Sequence, residues 1–337
     1  MKRFSVALQS DKRPGEYAHL GRIAESHGID LISVYADLMY QPPWPALLEI
    51  GAATNRIGMG PACVNPYTTH PYEIAGHVAF LDAASGGRSY LGLARGAWLG
   101  AVGVGQPDPV GYLGESWEVI ARLLAGDASG FEGRHLTLAP GAELRYPRLR
   151  PTVPLLIGSW GPKTLRLAGA IATEAKIGGS ANPDMVAVAR RRLAAGSIPA
   201  GRDADAVAVV VGAVSVVDED GEAARALARR EVAMYLVEVA DLDPTVELDP
   251  ALIDAVRIEV EAGRHEAAGA LIPDPILDRF AFSGTPEQVA DQVNALYRAG
   301  ADRVELGTPH GLTGEAGIDL IGRRVLPLLV LGTDSTF

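Results

Sequence analysis

Eight short, strongly apolar runs occur in series along this chain, and stretches with helical periodicity separate them. Such runs are typical of buried parallel strands, and strands that alternate with helices indicate a parallel α/β fold. No change in composition marks a linker. The pattern predicts a (β/α)8 TIM barrel with insertions. A doubly wound sheet is the alternative, but open sheets rarely keep eight strand–helix units in series. The predicted strands are 4–8, 32–35, 56–60, 90–93, 154–159, 174–177, 206–217 and 303–306.

The stretch 56–98 shows the repeated unit most clearly. A strand leads into an irregular bend at 62–66, and a helix is predicted to begin near Pro71, where a fixed φ and a missing N–H cost nothing. Thr68 and Thr69 are available as its caps. A second buried strand and a glycine-rich turn follow. The unit places elaborate loops after both strands, where a parallel α/β protein binds its ligands. The helix's apolar stripe consists of Ile74, Val78 and Leu81.

Two segments interrupt the regular alternation. Residues 127–152 are rich in proline and glycine and predict a surface hairpin or an irregular cover. Residues 218–280 are charged, alanine-rich and helical by propensity, so we expect an insertion at the barrel rim. Thr285-Pro286-Glu287 is a strong helix start, and a last helix is expected over 318–329. The whole chain, 1–337, is predicted to be a single TIM-barrel domain with a helical insertion at about 218–280.

Charge and composition narrow the functions to be considered. The formal net charge of −11 disfavours general binding to nucleic acid. No apolar run approaches the roughly 20 residues that cross a bilayer, and the start resembles no signal peptide. Cys63 is the only cysteine, which excludes an internal disulfide and a cysteine-cluster metal site. We therefore expect a cytoplasmic protein with a small-molecule substrate, without a metal, membrane or nucleic-acid partner.

Four motifs give the chain a family resemblance: GPACVNPYTTHP, SGGR…LGLARG, GPKTLRLAG and VELGTPHG…IDLIGRRVLPLL. Together they resemble the bacterial luciferase-like superfamily, within which the chain is most similar to the coenzyme F420-dependent methylenetetrahydromethanopterin reductases. The resemblance covers nearly the whole chain. It implies a TIM barrel, commonly dimeric, that transfers a hydride between coenzyme F420 and a small, pterin-like substrate.

The resemblance also implies where the coenzyme binds, which is across the C-terminal mouth of the barrel. A non-prolyl cis peptide bond after the third strand supports the central ring in this family, and the matching bond is Ala62–Cys63. Lys163 or Lys176 would lie toward the phosphate. The cofactor-binding residues implied are Ala62, Cys63, Val64, Asn65, Arg95, Gly96, Gly178, Gly179 and Ser180. The residues alone favour an ordinary trans turn with Cys63 as a small buried side chain.

Catalytic candidates are fewer, because the chain departs from the family at key positions. Many relatives have Asp-His after the second strand, whereas this chain has Asp37-Leu38, and a glutamate after the fourth strand is replaced by Ala97. The similar reductases usually end the first strand with glutamate, where this chain has Gln9. An amide orients a substrate but cannot act as an acid or base. The predicted catalytic residues are Gln9, Asp37 and His310. Tyr35, Glu49 and His70 could also face the mouth.

Several functions remain open from sequence. The barrel could instead be an FMN-dependent luciferase-like monooxygenase. It could be an NAD(P)H-dependent folate reductase that binds no flavin. It could also be a ligand-binding barrel that has lost its catalytic groups. Neither the substrate nor the direction of hydride transfer follows from the residues.

Overall fold

Parallel strands form a closed barrel in the computed structural model, which describes residues 2–331. The barrel confirms the predicted fold class, and the eight predicted strands are all present. The strands in chain order are β1 (Arg3–Leu8), β2 (Leu31–Val34), β3 (Gly58–Pro61), β4 (Leu91–Leu93), β5 (Phe131–Glu132), β6 (Thr137–Leu138), β7 (Leu155–Gly158), β8 (Glu174–Gly178), β9 (Ala208–Val217), β10 (Ala281–Gly284) and β11 (Arg303–His310).

The strand order around the barrel is β3-β2-β1-β11-β9-β8-β7-β4, with every pair parallel. Two isolated bridges, Met59 with Ser89 and Val64 with Leu93, join β3 to β4 and close the circle. The second half of β9 pairs with β10. Since all the barrel strands run in one direction, their carboxyl ends lie at one end of the barrel, which we call the mouth.

Helices surround the barrel and cover its outer face. They are α1 (Glu16–Ser26), α2 (Pro43–Ala53), α3 (Pro71–Ala84), α4 (Pro109–Ala125), α5 (Pro162–Ile171), α6 (Asp184–Ser197), α7 (Gly221–Val239), α8 (Pro250–Glu261), α9 (His265–Ala270), α10 (Asp274–Phe280), α11 (Pro286–Arg298) and α12 (Gly314–Leu320). None of those within residues 2–331 has both the length and the apolar character needed to cross a membrane. Four of them, α7 to α10, occupy 218–280.

Helix starts follow local side-chain chemistry. At α11 a capping box forms between Thr285 and Gln288, which confirms the predicted start. At α3 the predicted caps are wrong: Nδ1 of His70 accepts the hydrogen bond from the backbone N–H of Tyr72, at 3.2 Å. His70 directly precedes Pro71 and therefore occupies the N-cap position itself.

Alternate side chains along the strands point to two different layers, one between the barrel and the helices and one inside the barrel. On β1, Phe4, Val6 and Leu8 belong to the large apolar core between barrel and helices. Ser5, which alternates with them, meets Glu305 inside the barrel, where Oγ lies 3.2 Å from Oε2. The period of two continues beyond the strand and predicts an inward direction for Gln9.

The structure differs from the sequence predictions at β10, at the last helix and at β11, which continues to His310 instead of ending at residue 306. The short strand β10 was not predicted, because its four residues, AFSG, adjoin the helical segment and carry no alternating pattern. The last helix is shorter than expected: α12 ends at Leu320, a π-helical turn covers Ile321–Val325 and a 3-10 turn covers Leu326–Leu328. Pro327 has no N–H with which to continue an α-helix. Segment 127–152 contains the antiparallel pair β5–β6, as predicted.

Candidate active site at the barrel mouth

The six residues predicted to gather at the mouth all end a barrel strand or follow its last residue within three positions. They therefore lie at the same end of the barrel, and their predicted positions are confirmed. Their roles in binding or catalysis stay predictions. The residues, with the strand that each one ends or follows, are Gln9 (β1), Asp37 (β2), Cys63 (β3), Arg95 (β4), Gly178 (β8) and His310 (β11).

The bend after β3 is joined by hydrogen bonds to the strands on either side. The backbone N–H of Ala62 donates to the carbonyl of Val34 at 2.8 Å. On the other side, Val64 donates to Gly92 and accepts from Ala94, both at 3.0 Å. The Ala62–Cys63 peptide bond is cis, as predicted.

Cys63 fills the space between two glycines on neighbouring strands. A Cβ added at Gly92 or at Gly158 would lie 3.2 Å or 2.9 Å from its Sγ. Burial raises the pKa of the Cys63 thiol to about 12, so the thiol stays protonated at neutral pH and is a poor nucleophile. Its sulfur therefore acts as a packing group in the wall of the mouth.

After β4 a glycine in the left-handed region of φ lies next to an exposed cation. Gly96 has φ 86°, and a Cβ there would lie 2.9 Å from Leu99. Oδ1 of Asn65 accepts hydrogen bonds from the backbone N–H groups of Tyr67 and Thr68, so this oxygen is already used within the loop. Arg95 is exposed and forms no ion pair with any residue of the described range. Its guanidinium is available to an anionic ligand.

The loop after β8 is fixed from three sides. The carbonyl of Gly178 accepts a hydrogen bond from Nε1 of Trp160 at 2.7 Å. Gly179 has φ 77°, and a Cβ there would lie 3.3 Å from the ring of Tyr235 on α7. Ser180 is fully buried, and its hydroxyl oxygen accepts from the backbone N–H of Asn182 at 3.2 Å. Gly178 and Gly179 thus carry no side chain in this loop, and the side chain of Ser180 is buried.

Gln9 and Asp37 form one hydrogen-bonded unit. Nε2 of Gln9 donates to Oδ2 of Asp37 at 3.1 Å, and Oε1 of Gln9 accepts from the backbone N–H of Ser10 at 3.2 Å. Burial raises the pKa of Asp37, while the hydrogen bond from Gln9 and the charge of Lys176 oppose this rise. A carboxyl group with a raised pKa holds its proton to higher pH than an ordinary aspartic acid, as a general acid requires.

His310 lies beside a different cavity, of about 330 Å³, which is walled by α1 and α12 and by Leu8 of the outer core. Its ring is buried, and Nε2 has no hydrogen-bond partner among residues 2–331. Burial lowers the pKa of His310 to about 4, so the ring is neutral at neutral pH. His310 is thus at the mouth end of the barrel but on the outer side of its wall.

The interior directly below the mouth is charged, which sequence reasoning missed. Lys176 and Glu305 form an ion pair there, and both side chains are buried. The expectation that Lys176 faces a phosphate is therefore wrong, since its position on β8 directs it into the barrel. A signal was present: two charged residues at alternate positions interrupt each of the strands EAKIG and RVELG, and a buried charge requires a partner.

Backbone strain and exposed apolar side chains also mark the mouth. Met39, Trp98 and His310 are the non-glycine residues of the described range with positive φ, at 69°, 55° and 74°. They follow β2 and β4 and end β11, respectively. Strain of this kind concentrates at functional sites. Met39 is 78% exposed and Trp98 is 52% exposed, so large apolar surfaces face solvent where a planar ring could pack.

Comparison with known proteins agrees with this geometry. The family model described as luciferase-like monooxygenase matches residues 1–303. A 5,10-methylenetetrahydromethanopterin reductase of Archaeoglobus fulgidus is 30% identical over 338 residues, which are 97% of this chain and 99% of that protein. The enzyme of the same name from Methanopyrus kandleri is 28% identical, over 96% and 97% of the two chains.

A solved structure is similar over the same length. The coenzyme F420-dependent tetrahydromethanopterin reductase from Methanopyrus kandleri superposes with a TM-score of 0.89 at 26% identity, covering 97% of this chain and 99% of that one. The fold and the mouth define a TIM-barrel protein with a ligand site at its C-terminal end. The chain belongs to the luciferase-like family.

Proposed function

We propose that this protein is an oxidoreductase that transfers a hydride between coenzyme F420 and a small, pterin-like substrate. Support comes from full-length similarity to methylenetetrahydromethanopterin reductases, one of them 30% identical over 97% of this chain. The observation that carries the proposal is the set of groups at the mouth. These are Arg95, which forms no ion pair among the described residues, the glycine loops after β4 and β8, and the hydrogen-bonded bend after β3.

The residues at the mouth fit this coenzyme. Gly96 and Gly179 have positive φ, and an added Cβ would meet Leu99 or Tyr235, so both turns require glycine and present backbone without a side chain. The bend at 62–65 would support the ring system, the loop 178–180 would lie beside the phosphate, and Arg95 would balance negative charge. When bound, the deazaflavin supplies the hydride-carrying ring.

The chain's own contribution to the chemistry is orientation and a proton. Hydride transfer depends chiefly on proximity and alignment. Opening a methylene-bridged pterin ring also requires a proton, and Asp37 is the group proposed to donate it. Gln9 would hold the carboxyl group in place through the 3.1 Å hydrogen bond. His310 was also a candidate, but its neutral ring faces the separate cavity between α1 and α12.

A side-by-side titration tests the coenzyme. We expect F420 to bind in the micromolar range or tighter, about −8 kcal/mol, and FMN at least roughly tenfold more weakly, because F420 carries additional anionic groups that Arg95 can balance. Fluorescence of the coenzymes reports both affinities. FMN binding equal to or tighter than F420 binding would contradict the proposal and favour a monooxygenase.

The proposal includes a homodimer in the cytoplasm. One face of α3 exposes Tyr72 and Phe80, at 56% and 62%, next to Tyr146 and Leu149 at 44% and 54%. Contiguous exposed apolar surface on a folded chain is typical of a protein–protein interface. The cytoplasmic location is supported by the single cysteine.

A further inference from the structure

Oppositely charged side chains alternate through the inside of the barrel. Arg303 is fully buried, with Nη2 2.7 Å from Oε2 of Glu174 and Nη1 3.7 Å from Oε2 of Glu305. Arg3 pairs with Glu174 at the bottom of the barrel, and Lys176 pairs with Glu305 at the top. The alternation therefore reaches from the closed end of the barrel to the floor of the mouth.

Glu305 is held as a carboxylate at the centre of this arrangement. Its Oε2 accepts hydrogen bonds from the hydroxyls of Ser5 and Ser33, the first at 3.2 Å. Burial raises the pKa of Glu305, but Lys176 and Arg303 outweigh it and hold that pKa at about 2. Tyr90 adds a 2.6 Å hydrogen bond to Ser33. Glu305 is consequently ionised at neutral pH.

Lys176 connects this interior to the mouth. Its Nζ lies 5.1 Å from the centre of the Tyr35 ring, and Tyr35 precedes Asp37 by two residues. On its own strand, Gly178 follows two residues later at the mouth. Lys176 thus lies between Glu305 below it and the residues that carry Asp37 above it.

Three neighbours act on Asp37 from the elements around it. Gln9, after β1, donates a hydrogen bond, and Lys176, on β8, contributes a positive charge. Tyr35, on its own segment, is uncharged, because burial raises the pKa of its phenol well above the usual value. Among the described residues, Lys176 is therefore the charged group that acts on Asp37, and Glu305 already neutralises part of its charge.

An apolar pair of similar volume would stabilise a barrel about as well as a buried ion pair, so stability alone does not account for Lys176 and Glu305. We propose that Lys176 and Glu305 are a positioning pair that sets how readily Asp37 gives up its proton. Lys176 supplies a positive charge near Asp37, and Glu305 neutralises part of that charge. This inference rests on the proposed role of Asp37 as the proton donor. It assigns a task to two buried, paired residues that have no role in the function proposed above.

The test measures Asp37 directly in the coenzyme-free protein. Aspartate labelled with ¹³C at the carboxyl carbon is titrated by NMR, and the signal missing in Asp37→Asn identifies the residue. In Lys176→Met the titration midpoint should rise by about one pH unit, since a one-unit rise is a tenfold tighter hold on the proton. In Glu305→Gln it should fall, because the full lysine charge then acts on Asp37.

Controls keep the outcome decisive. Lys176→Arg retains the charge and should leave the midpoint within a few tenths of a unit of the original. If Lys176→Met does not fold, the double variant Lys176→Met/Glu305→Gln removes both charges and should still raise the midpoint. An unchanged midpoint in the single variants, or shifts in the same direction, would overturn the inference. Because no coenzyme is present, failure here is distinct from failure of F420 to bind.

Discussion

Nε2 of Gln9 lies 3.1 Å from Oδ2 of Asp37, and this hydrogen bond links the loops after β1 and β2. The bond holds the carboxyl group that we propose as proton donor, and the amide of Gln9 itself accepts a hydrogen bond from the backbone N–H of Ser10. Gln9 thus holds the Asp37 carboxyl group in one orientation, which matters because the rate of transfer depends on the alignment of the reacting groups.

Replacement of that acid is the most direct test of the pair. Asp37→Asn should lower turnover of a methylene-bridged substrate by about 10²- to 10⁴-fold, the usual contribution of a general acid, and leave coenzyme affinity unchanged. The original enzyme should lose activity as pH rises through the raised pKa of Asp37. The rate is followed by coenzyme absorbance. Asp254→Asn, on exposed α8, is the control. Normal turnover by Asp37→Asn would remove the acid from the proposal.

The loop after β8 can be tested with two matched glycines. Gly179 and Gly201 have φ of 77° and 73°, so alanine strains both backbones to a similar degree. Only Gly179 has a neighbouring ring, Tyr235, close to its added methyl group, whereas Gly201 faces open space. Gly179→Ala should weaken F420 binding by about tenfold or more, and Gly201→Ala should not. Equal affinities in a fluorescence titration would show that this loop is not a binding loop.

Arg95 should contribute charge to coenzyme binding. Arg95→Met is expected to weaken F420 binding by about tenfold, or ~1.4 kcal/mol, and to make the affinity less dependent on salt. Arg134→Met is the control, because Arg134 is 80% exposed and pairs with Asp108 at 3.6 Å. Titrations at two ionic strengths measure both effects. Identical salt dependence of the Arg95 variant and the unaltered protein would argue against a contact with the anionic coenzyme.

Burial of neutral His310 should make the fold sensitive to acid. Its pKa is about 4 in the folded protein and 6.5 ordinarily, so between these values the unfolded chain binds more protons. The contribution of neutral His310 to the free energy of unfolding is complete above pH 6.5 and is lost as the pH falls toward 4. At pH 5 the loss from this residue should be about 2 kcal/mol.

Urea unfolding of the unaltered protein and of His310→Gln at pH 7 and pH 5 measures this contribution. The glutamine variant cannot gain a proton, so its stability should fall by about 2 kcal/mol less between the two pH values. Subtracting the free energy of unfolding at pH 5 from that at pH 7 within each protein cancels any packing defect that the substitution introduces. Equal losses in both proteins would mean that His310 titrates normally when folded.

The proposed dimer depends on the exposed face of α3. Phe80→Glu should convert the dimer to a monomer, because a carboxylate cannot be buried without a partner. Ile258→Glu, on α8, is the control, since Ile258 is 60% exposed and Phe80 is 62% exposed. Sedimentation equilibrium gives the masses. A protein that is monomeric before substitution, or a dimer that survives Phe80→Glu, would contradict this interface.

The sequence predicts the barrel well because parallel strands bury both faces. The run that contains Leu155 and Ile157, for example, is apolar, and its side chains are buried. Strand ends fix the mouth, so residues such as Gln9 and Cys63 could be placed there without coordinates. The single-domain organisation of 1–337 and the binding and catalytic roles stay predictions.

Side-chain direction and tertiary partners could not be predicted in the same way. Lys176 lies two residues before the loop after β8, yet its ion pair with Glu305 involves a strand 129 residues later in the chain. His310 ends a strand whose register shifts just before it, between Gly307 and His310, so period-two counting cannot assign its side of the wall. A single inserted residue is enough to reverse the face of every residue that follows.

The closure of the barrel has a further consequence. Continuous hydrogen-bonded ladders join the other neighbouring barrel strands, whereas β3 and β4 are held by two isolated bridges. The seam therefore lacks a continuous ladder, and it runs through the bend on which the coenzyme ring is proposed to rest. Fluctuations should open the barrel here first, exposing the amides of Val64 and Ala94 to deuterium exchange. A ring lying across the seam would contact both strands and stabilise their closed arrangement. Exchange at these amides should then slow, and the unfolding temperature of the whole protein should rise.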